Sequence, residues 1–593
     1  MSGPADAVEV LRRCVDGLGG DDRPGQRRLT EVITRAIDDR HHLVAEAPTG
    51  SGKSLAYLSA IAASGVRAVV ATATLTLQDQ LWRKDLPLVQ EHGGVALRGA
   101  LLKGRANYLC LARLAAARDG DALFDERPGP DFMRDLERLS TFSAESETGD
   151  VADLPESISP RSWRAVTCGP NECPGAGRCE IGTDCFAERA RERANGADIV
   201  VVNHALYAAH LASGGKLLPE HDVVVIDEAH AFDSFATGAL SAEVAPFGLR
   251  QLAGRLRRAG ASADDVAPLA EEAETFEEVL GDLDGRVDPT EEPLGGLLGR
   301  IAERLATAMR RVDGQGEDGE PGGVVRAQTV RLASTRLEAL RRFQSPGVDD
   351  VAWVEGGERT VLRLAPITIG GHLAPVLFER VPTVLLSATL GPGARFEPLA
   401  RALGLDPDDS RGSPRAADAP DPGDDATPGP GLGYDARRFE SPFDLREQAM
   451  LYVPTSLPDV RDPSWPDAAA DELCGLVDAA GGRALVLCTS WRNVHTFAEV
   501  LRERTAHQVL AQGDEATARL VAAFAADETS CLVATRAFWQ GLDVPGPACV
   551  LVVIDRLPFT RPDDPLGQAR REAVERAGGD GFRAVDLPAA ALA

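Results

Sequence analysis

Short apolar runs recur along the chain in two series. His42-Leu43-Val44-Ala45, Arg67 to Ala71 (RAVVA), Asp198 to Val202 (DIVVV), Asp222 to Ile226 (DVVVI) and Pro382 to Thr389 (PTVLLSAT) form the first. Met450 to Val453, Arg483 to Thr489 (RALVLCT), Ser530 to Thr535 (SCLVAT) and Cys549 to Asp555 (CVLVVID) form the second. Buried strands alternating with helical segments predict two α/β domains built on parallel sheets. Two stretches interrupt this rhythm. Residues 103–195 carry a cysteine run, and residues 235–365 are charged and Leu/Ala-rich with helical periodicity, which predicts a mostly helical insertion. Residues 406–438, rich in Asp, Pro and Gly and without periodicity, read as a disordered acidic loop.

Composition narrows the class without naming a chemistry. At 593 residues the chain is too long for one core. A charged fraction of 26% and an apolar fraction of 44% are those of an ordinary globular protein. The net charge of −28 argues against a uniformly basic nucleic-acid coat but leaves room for a locally basic channel. With no apolar leader and no run long enough to span a bilayer, a cytoplasmic protein without a membrane partner is expected.

The strongest chemical signal is Glu46-Ala47-Pro48-Thr49-Gly50-Ser51-Gly52-Lys53-Ser54, set between an apolar strand and a good helix former. Backbone N–H groups of such a turn converge on phosphate oxygens, and the helix that follows adds its positive end. Thr49, Gly50, Ser51 and Gly52 would cradle the phosphates, Lys53 would reach the outer ones, and Ser54 would hold Mg²⁺. Ala47 stands where the first Gly usually does. Gln26, at the start of a preceding helix, carries both donor and acceptor for an adenine edge. Asp227-Glu228-Ala229-His230 follows a buried strand at the end where parallel sheets bind ligands. Two adjacent acids there call for a metal and a water: Asp227 for Mg²⁺, Glu228 to polarise the attacking water. His230 either links this site to a second domain or caps the turn.

Ten cysteines are unevenly spread, and Cys110, Cys168, Cys173, Cys179 and Cys185 gather in one region. In a cytosolic chain such a cluster points to metal or Fe–S ligation before disulfides, with zinc and iron–sulfur equally compatible by spacing.

The DEAH sequence, Ser387-Ala388-Thr389-Leu390, the turn from Thr72 to Leu81, Lys103 to Cys110, the cysteine run and Asn203-His204-Ala205-Leu206 together resemble the superfamily 2 iron–sulfur DNA helicases of the DinG/XPD type, on the bacterial DinG side. Thr489-Ser490-Trp491 and Thr535 to Gly546 are similar to the family's later motifs, with Gln540 in place of a common acid. The resemblance implies two RecA-like motor domains, the first interrupted by an Fe–S domain and a helical arch. The expected partition is 1–102, 196–234 and 366–405 for the first motor domain, 103–195 for the Fe–S domain, 235–365 for the arch, 406–438 for the loop, and 439–593 for the second motor domain.

The resemblance also implies a [4Fe–4S] cluster on four cysteines, and the chain offers five. Cys173, Cys179 and Cys185 stand six residues apart, and Cys110 closes the Lys-Gly-Arg motif that carries the family's first ligand. These four are the expected set, with Cys168 as the spare or as the alternative to Cys173. Arg105, Asn203, His204 and Trp539 are expected DNA contacts, and Asp543 an ATP contact. Trp539 would stack on a base or pack in the core.

The implied activity is ATP-dependent, 5′→3′ movement on single-stranded DNA in repair or replication. A monomer acting at forks or R-loops is expected. No stretch of the Gln-x-x-Gly-Arg-x-x-Arg type is present, so weak ATP turnover by this chain is expected as well. The alternatives are a catalytically weak ATP- and DNA-binding protein and an RNA-acting ATPase.

Overall fold

The computed structural model describes residues 3–118, 129–155, 158–169, 171–313, 323–357, 359–391, 396–406, 415–416, 432–515, 517–535, 538–539, 544 and 546–592. Two compact units divide the chain: Met1–Pro442 with Pro562–Gly581, and Phe443–Arg561 with Phe582–Ala593.

The first unit is built on an eight-stranded sheet. Its strands are β1 (His42–Glu46), β2 (Ala68–Thr72), β3 (Gly99–Leu101), β4 (Ile199–Asn203), β5 (Val223–Asp227), β10 (Thr383–Ser387), β11 (Arg415–Ala416) and β12 (Tyr434–Arg438). They run in the order β11-β12-β1-β10-β5-β2-β4-β3, and every pairing is parallel. Leu43 and Ala45 face one hydrophobic core while Val44 faces another across the sheet. Cover on both faces is why these strands read as unbroken apolar runs instead of alternating ones.

Residues 103–195 form helices Leu111–Arg118, Pro130–Glu145, Pro160–Val166 and Phe186–Asn195, with the cysteines in the turns between and beside them. Tyr108, Leu109, Leu139 and Phe186 join the same core as the sheet's Val200 and Val202. Lys103 is almost fully buried and pairs at 2.9 Å with both Asp79, on the helix after β2, and Asp150, among the cysteine segments.

The insertion after Asp233 is built mainly of helices, and it also carries a small sheet that the periodicity does not reveal. Helices Pro246–Arg258, Ala263–Gly281, Leu294–Asp313 and Gly323–Gln344 pack with an antiparallel sheet of β6 (Ala242–Val244), β7 (Gly285–Val287), β8 (Asp350–Glu355) and β9 (Val361–Pro366), ordered β6-β9-β8-β7. Their core is separate from that of the motor sheet.

The boundary of the acidic loop also moves. β12 lies within the stretch expected to be disordered, yet it pairs with the whole of β1, and Arg438 reaches Glu46 at 3.0 Å. Most of the remaining acidic stretch lies outside the described residues.

The second unit carries a parallel sheet of β13 (Ala484–Cys488), β14 (Val509–Ala511), β15 (Cys531–Thr535) and β16 (Leu551–Ile554), ordered β14-β15-β13-β16. Met450 to Val453, expected as a strand, is exposed non-regular chain instead. Helix Pro565–Arg576, expected in the second motor domain, belongs to the first unit. There Arg570 donates to Ile367 O at 2.9 Å, Asp233 Oδ2 at 3.1 Å and Thr237 Oγ1 at 3.1 Å. Among the described residues no helix is long and apolar enough to cross a membrane.

Candidate functional site

The glycine-rich loop leaves β1 and enters helix Lys53–Ser64. Its sharp reversal uses Gly50 at φ +80° and Gly52 at φ +76°, a region L side chains rarely adopt. At Gly52 space is also decisive: a Cβ there would stand 2.1 Å from Gln26 Nε2. Gln26 is buried and donates from Nε2 to Gly52 O at 3.0 Å, so its amide nitrogen braces the loop. Lys53 Nζ donates to Ala47 O at 3.1 Å and lies 3.7 Å from Glu228 Oε1. The buried Ser51 hydroxyl has no partner among the described residues, a vacancy in hydrogen bonding that a phosphate oxygen would meet.

Strand order explains how the acids face this loop. β10 lies between β1 and β5, so Ser387 at its end is flanked by the phosphate loop and by Asp227-Glu228. Ser387 Oγ donates to Glu228 Oε2 at 2.9 Å, and His230 Nδ1 bonds the same hydroxyl at 2.7 Å. His230 therefore ties the DEAH turn to β10. Glu228 adopts φ +57°, a strained setting for a non-glycine residue and one that recurs at functional sites. The buried Asp227 carboxyl is pushed up to about 7, first by burial and then by the neighbouring Glu228 charge. Its Oδ2 accepts from the Tyr57 hydroxyl at 3.3 Å, and that phenol also contacts the side chain of Ser54. An Mg²⁺ coordinated between Ser54 and Asp227 fits these groups, since both are already gathered around one phenol.

Cys110, Cys168, Cys173, Cys179 and Cys185 all line a single cavity that opens to solvent. Cys168, expected as the spare, lies between two others: its side chain hydrogen-bonds both Cys110 and Cys173. Those bonds lower the Cys110 thiol to about 7, with help from Arg113, and the Cys173 thiol to about 6, with help from Arg105. Cys185 is placed differently. It precedes helix Phe186–Asn195, accepts from the backbone of Glu188 and Ala187, packs against the core, and is pushed up by burial. The donor set suits a thiolate-bound cluster. Among the described residues no three His, Cys, Asp or Glu side chains form a site for one metal ion.

The helicase C-terminal domain family matches residues 473–593. The ATP-dependent helicase DinG of Mycobacterium tuberculosis is 37% identical over 615 residues, covering 98% of this chain and 89% of that protein. The chain belongs to the DinG family of ATP-dependent helicases. The ATP-dependent DNA helicase YoaA of Escherichia coli is 31% identical over 600 residues, covering 96% of this chain and 87% of that protein. An XPD helicase structure matches with a TM-score of 0.56 at 14% identity, over 96% of this chain and 91% of that one, which shows the shared fold.

Within this DinG-family chain, the residues expected to touch DNA have protein partners of their own. His204 is fully buried, T-shaped against Phe232 and Phe235, and bonds Asp227 O at 2.8 Å through Nε2. Burial lowers its ring to about 3. It supports the DEAH strand and is closed to a nucleic acid. Asn203 caps helix His204–Ala212, its Oδ1 accepting from Leu206 N at 2.9 Å. Arg105 pairs with Glu188 at 2.5 Å and lines the cysteine cavity. Trp539 packs against the core of the second unit with its indole N–H buried. Asp543 and Gln540 lie outside the described residues.

Sequence reasoning missed Tyr57, Lys103 and the use of Ser387. Ser387 was legible as part of a motif, but its bridging role needs β10 to be placed between β1 and β5.

Proposed function

We propose that this DinG-family chain is an ATP-driven helicase that moves 5′→3′ on single-stranded DNA in repair or replication. It acts as a cytoplasmic monomer on forked or R-loop DNA, and its cysteine cavity holds a [4Fe–4S] cluster. The observation that carries the reading is the convergence of Lys53, the Asp227–Glu228 pair and Ser387 at three neighbouring strand ends.

In this reading Lys53 releases Ala47 O and Glu228 to meet the outer phosphates, and the loop N–H groups hold the rest. Ser54 and Asp227 would hold Mg²⁺, which would supply charge neutralisation for the transferred phosphoryl group. Glu228 Oε1 orients the attacking water and takes its proton, while Ser387 fixes Oε2 and His230 fixes Ser387.

Cys110, Cys173, Cys179 and Cys185 are the proposed cluster ligands, with Cys168, whose side chain bonds both Cys110 and Cys173, the spare or the alternative to Cys173. Cys185 accepts backbone N–H bonds at a helix start, a setting that favours a thiolate. When bound, the cluster supplies a thiolate-linked anchor for a turn-rich segment and a redox-active centre.

ATP turnover with single-stranded DNA or RNA, together with strand displacement on duplexes carrying a 5′ or a 3′ tail, tests the function. DNA-stimulated turnover and displacement from the 5′ tail only are expected. Displacement from the 3′ tail, stimulation by RNA alone, or ATP binding without turnover would each overturn it.

A further inference from the structure

Glu172 lies in the turn that brings Cys168 and Cys173 together. Glu172 N and Cys173 N both donate to Gly169 O at 3.1 Å, and Glu172 Oε2 accepts from Gly169 N at 3.1 Å. That would suffice for a turn residue, but its carboxylate has two further partners from elsewhere in the chain.

Arg113 Nη2 stands 3.0 Å from Glu172 Oε2. Arg113 belongs to helix Leu111–Arg118, which begins just after Cys110, and its other amino group donates to Thr167 O at 2.5 Å, beside Cys168. Arg255 Nη1 stands 2.7 Å from Glu172 Oε1. Arg255 belongs to the last turn of helix Pro246–Arg258 in the insertion. A second residue of the insertion, the buried Gln328 of helix Gly323–Gln344, lines the cysteine cavity directly.

We infer that Glu172 is a positioning residue that joins the cysteine-bearing segments to the insertion, so that filling the cavity and seating helix Pro246–Arg258 are one coupled event. This deepens the cluster reading and rests on it. One carboxylate serves three elements, and its setting gives each bond weight. The Arg113 side chain is 7% exposed, Glu172 19% and Arg255 26%, so these charges are shielded more than surface pairs are. Removing the shared acceptor leaves Arg113 buried without its carboxylate, a far costlier loss than that of a rim charge. Partners that hold a ligand-bearing segment act on metal affinity through that segment. The geometry therefore separates two effects. Losing Arg255 frees the insertion but leaves Arg113 holding the cysteine turn, whereas losing Glu172 disturbs both.

The test uses the full chain, purified anaerobically, as wild type, Glu172→Gln, Glu172→Asp and Arg255→Ala. Iron release to a chelator is followed by visible absorption, and backbone hydrogen exchange is followed by mass spectrometry. Glu172→Gln is expected to hold iron about 10- to 100-fold more weakly, the range found for outer partners of metal ligands. Glu172→Asp should recover part of that loss. Arg255→Ala should weaken iron retention less than Glu172→Gln does, and should raise exchange across residues 246–258. Stripping iron from the wild type should raise exchange in the same helix, and stripping Arg255→Ala should add nothing there. Unchanged exchange across 246–258 in all three comparisons overturns the inference. A chain that binds no iron overturns the cluster reading and the coupling to it. The contrast between Arg255→Ala and wild type, read on metal-free protein, then decides whether the Glu172 bridge holds the insertion at all.

Discussion

The nucleotide cleft and the cysteine cavity lie in the same unit and are held in opposite ways. Around the cleft, most catalytic side chains already have a protein partner: Lys53 with Ala47 O and Glu228, Glu228 with Ser387, Ser387 with His230, Asp227 with Tyr57. Those partners project from strand ends and from a helix that follows one, so the sheet itself fixes their spacing. The cysteine cavity has no strand behind it. Its thiols come from turns and helix starts, and what gathers them is a set of charges, Lys103 toward the motor and Glu172 toward the insertion. A pre-assembled cleft should tolerate loss of its ligand, whereas a cavity lined by turns should depend on its occupant.

Five substitutions sharpen or break this contrast. The largest effect belongs to Glu228→Gln, which removes the proton acceptor: DNA-stimulated ATP turnover should fall by about 10²- to 10⁴-fold. Visible absorption should stay as in the wild type; loss of colour would show that the two centres are not separately built. Next is Cys185→Ser, which should lose most of its iron while binding a fluorescent ATP analogue with unchanged affinity. Cys168→Ser should keep its iron, and the reverse pattern between these two variants would make Cys168 a ligand and Cys185 the spare.

A smaller change is expected from Ser387→Ala. It deprives Glu228 and His230 of their shared hydroxyl, worth about 1–2 kcal/mol, and so should slow turnover by roughly tenfold with KM for ATP little altered. A rise in KM with unchanged kcat would assign Ser387 to binding instead.

The smallest effect concerns His42 on β1, whose ring accepts from Thr383 N at 3.1 Å. Burial, with a lesser push from His41, lowers its pKa from 6.5 to about 4. Below pH 6.5 the unfolded chain binds a proton that the folded chain refuses. Stability is thus fully present above pH 6.5 and is lost as pH falls toward 4, by about 1 kcal/mol near pH 5.7 for this one group. The urea midpoint of His42→Asn should fall less between pH 7.5 and 5.7 than that of the wild type. Parallel slopes would remove His42 from the account.

The same contrast explains what the sequence revealed. The motor strands were legible because cover on both faces makes them continuously apolar. Those of the insertion were not, since β8 and β7 are only partly buried and short beside four long helices. β12 (YDARR) hides a buried strand behind polar letters: Tyr434, Ala436 and Arg437 are buried, and β1 supplies the pairing. Met450 to Val453 misled in the opposite direction, apolar but exposed. At the cleft, Lys53, Ser54, Asp227 and Glu228 could be read because each stands in a contiguous motif. The internal partners of His204 and Arg105 could not be read in the same way, since they come from segments distant in sequence. Spacing alone does not reveal that the tight turn at Gly169 sets Cys168 against Cys110 and Cys173.

The central claim is that these five thiols enclose an iron–sulfur cluster. Iron, acid-labile sulfide and zinc, measured per chain on anaerobically purified protein together with its visible spectrum, test it most directly. The account predicts a brown protein with about four irons and four sulfides per chain and a broad absorption that chelation removes. A colourless protein carrying one zinc per chain would contradict it.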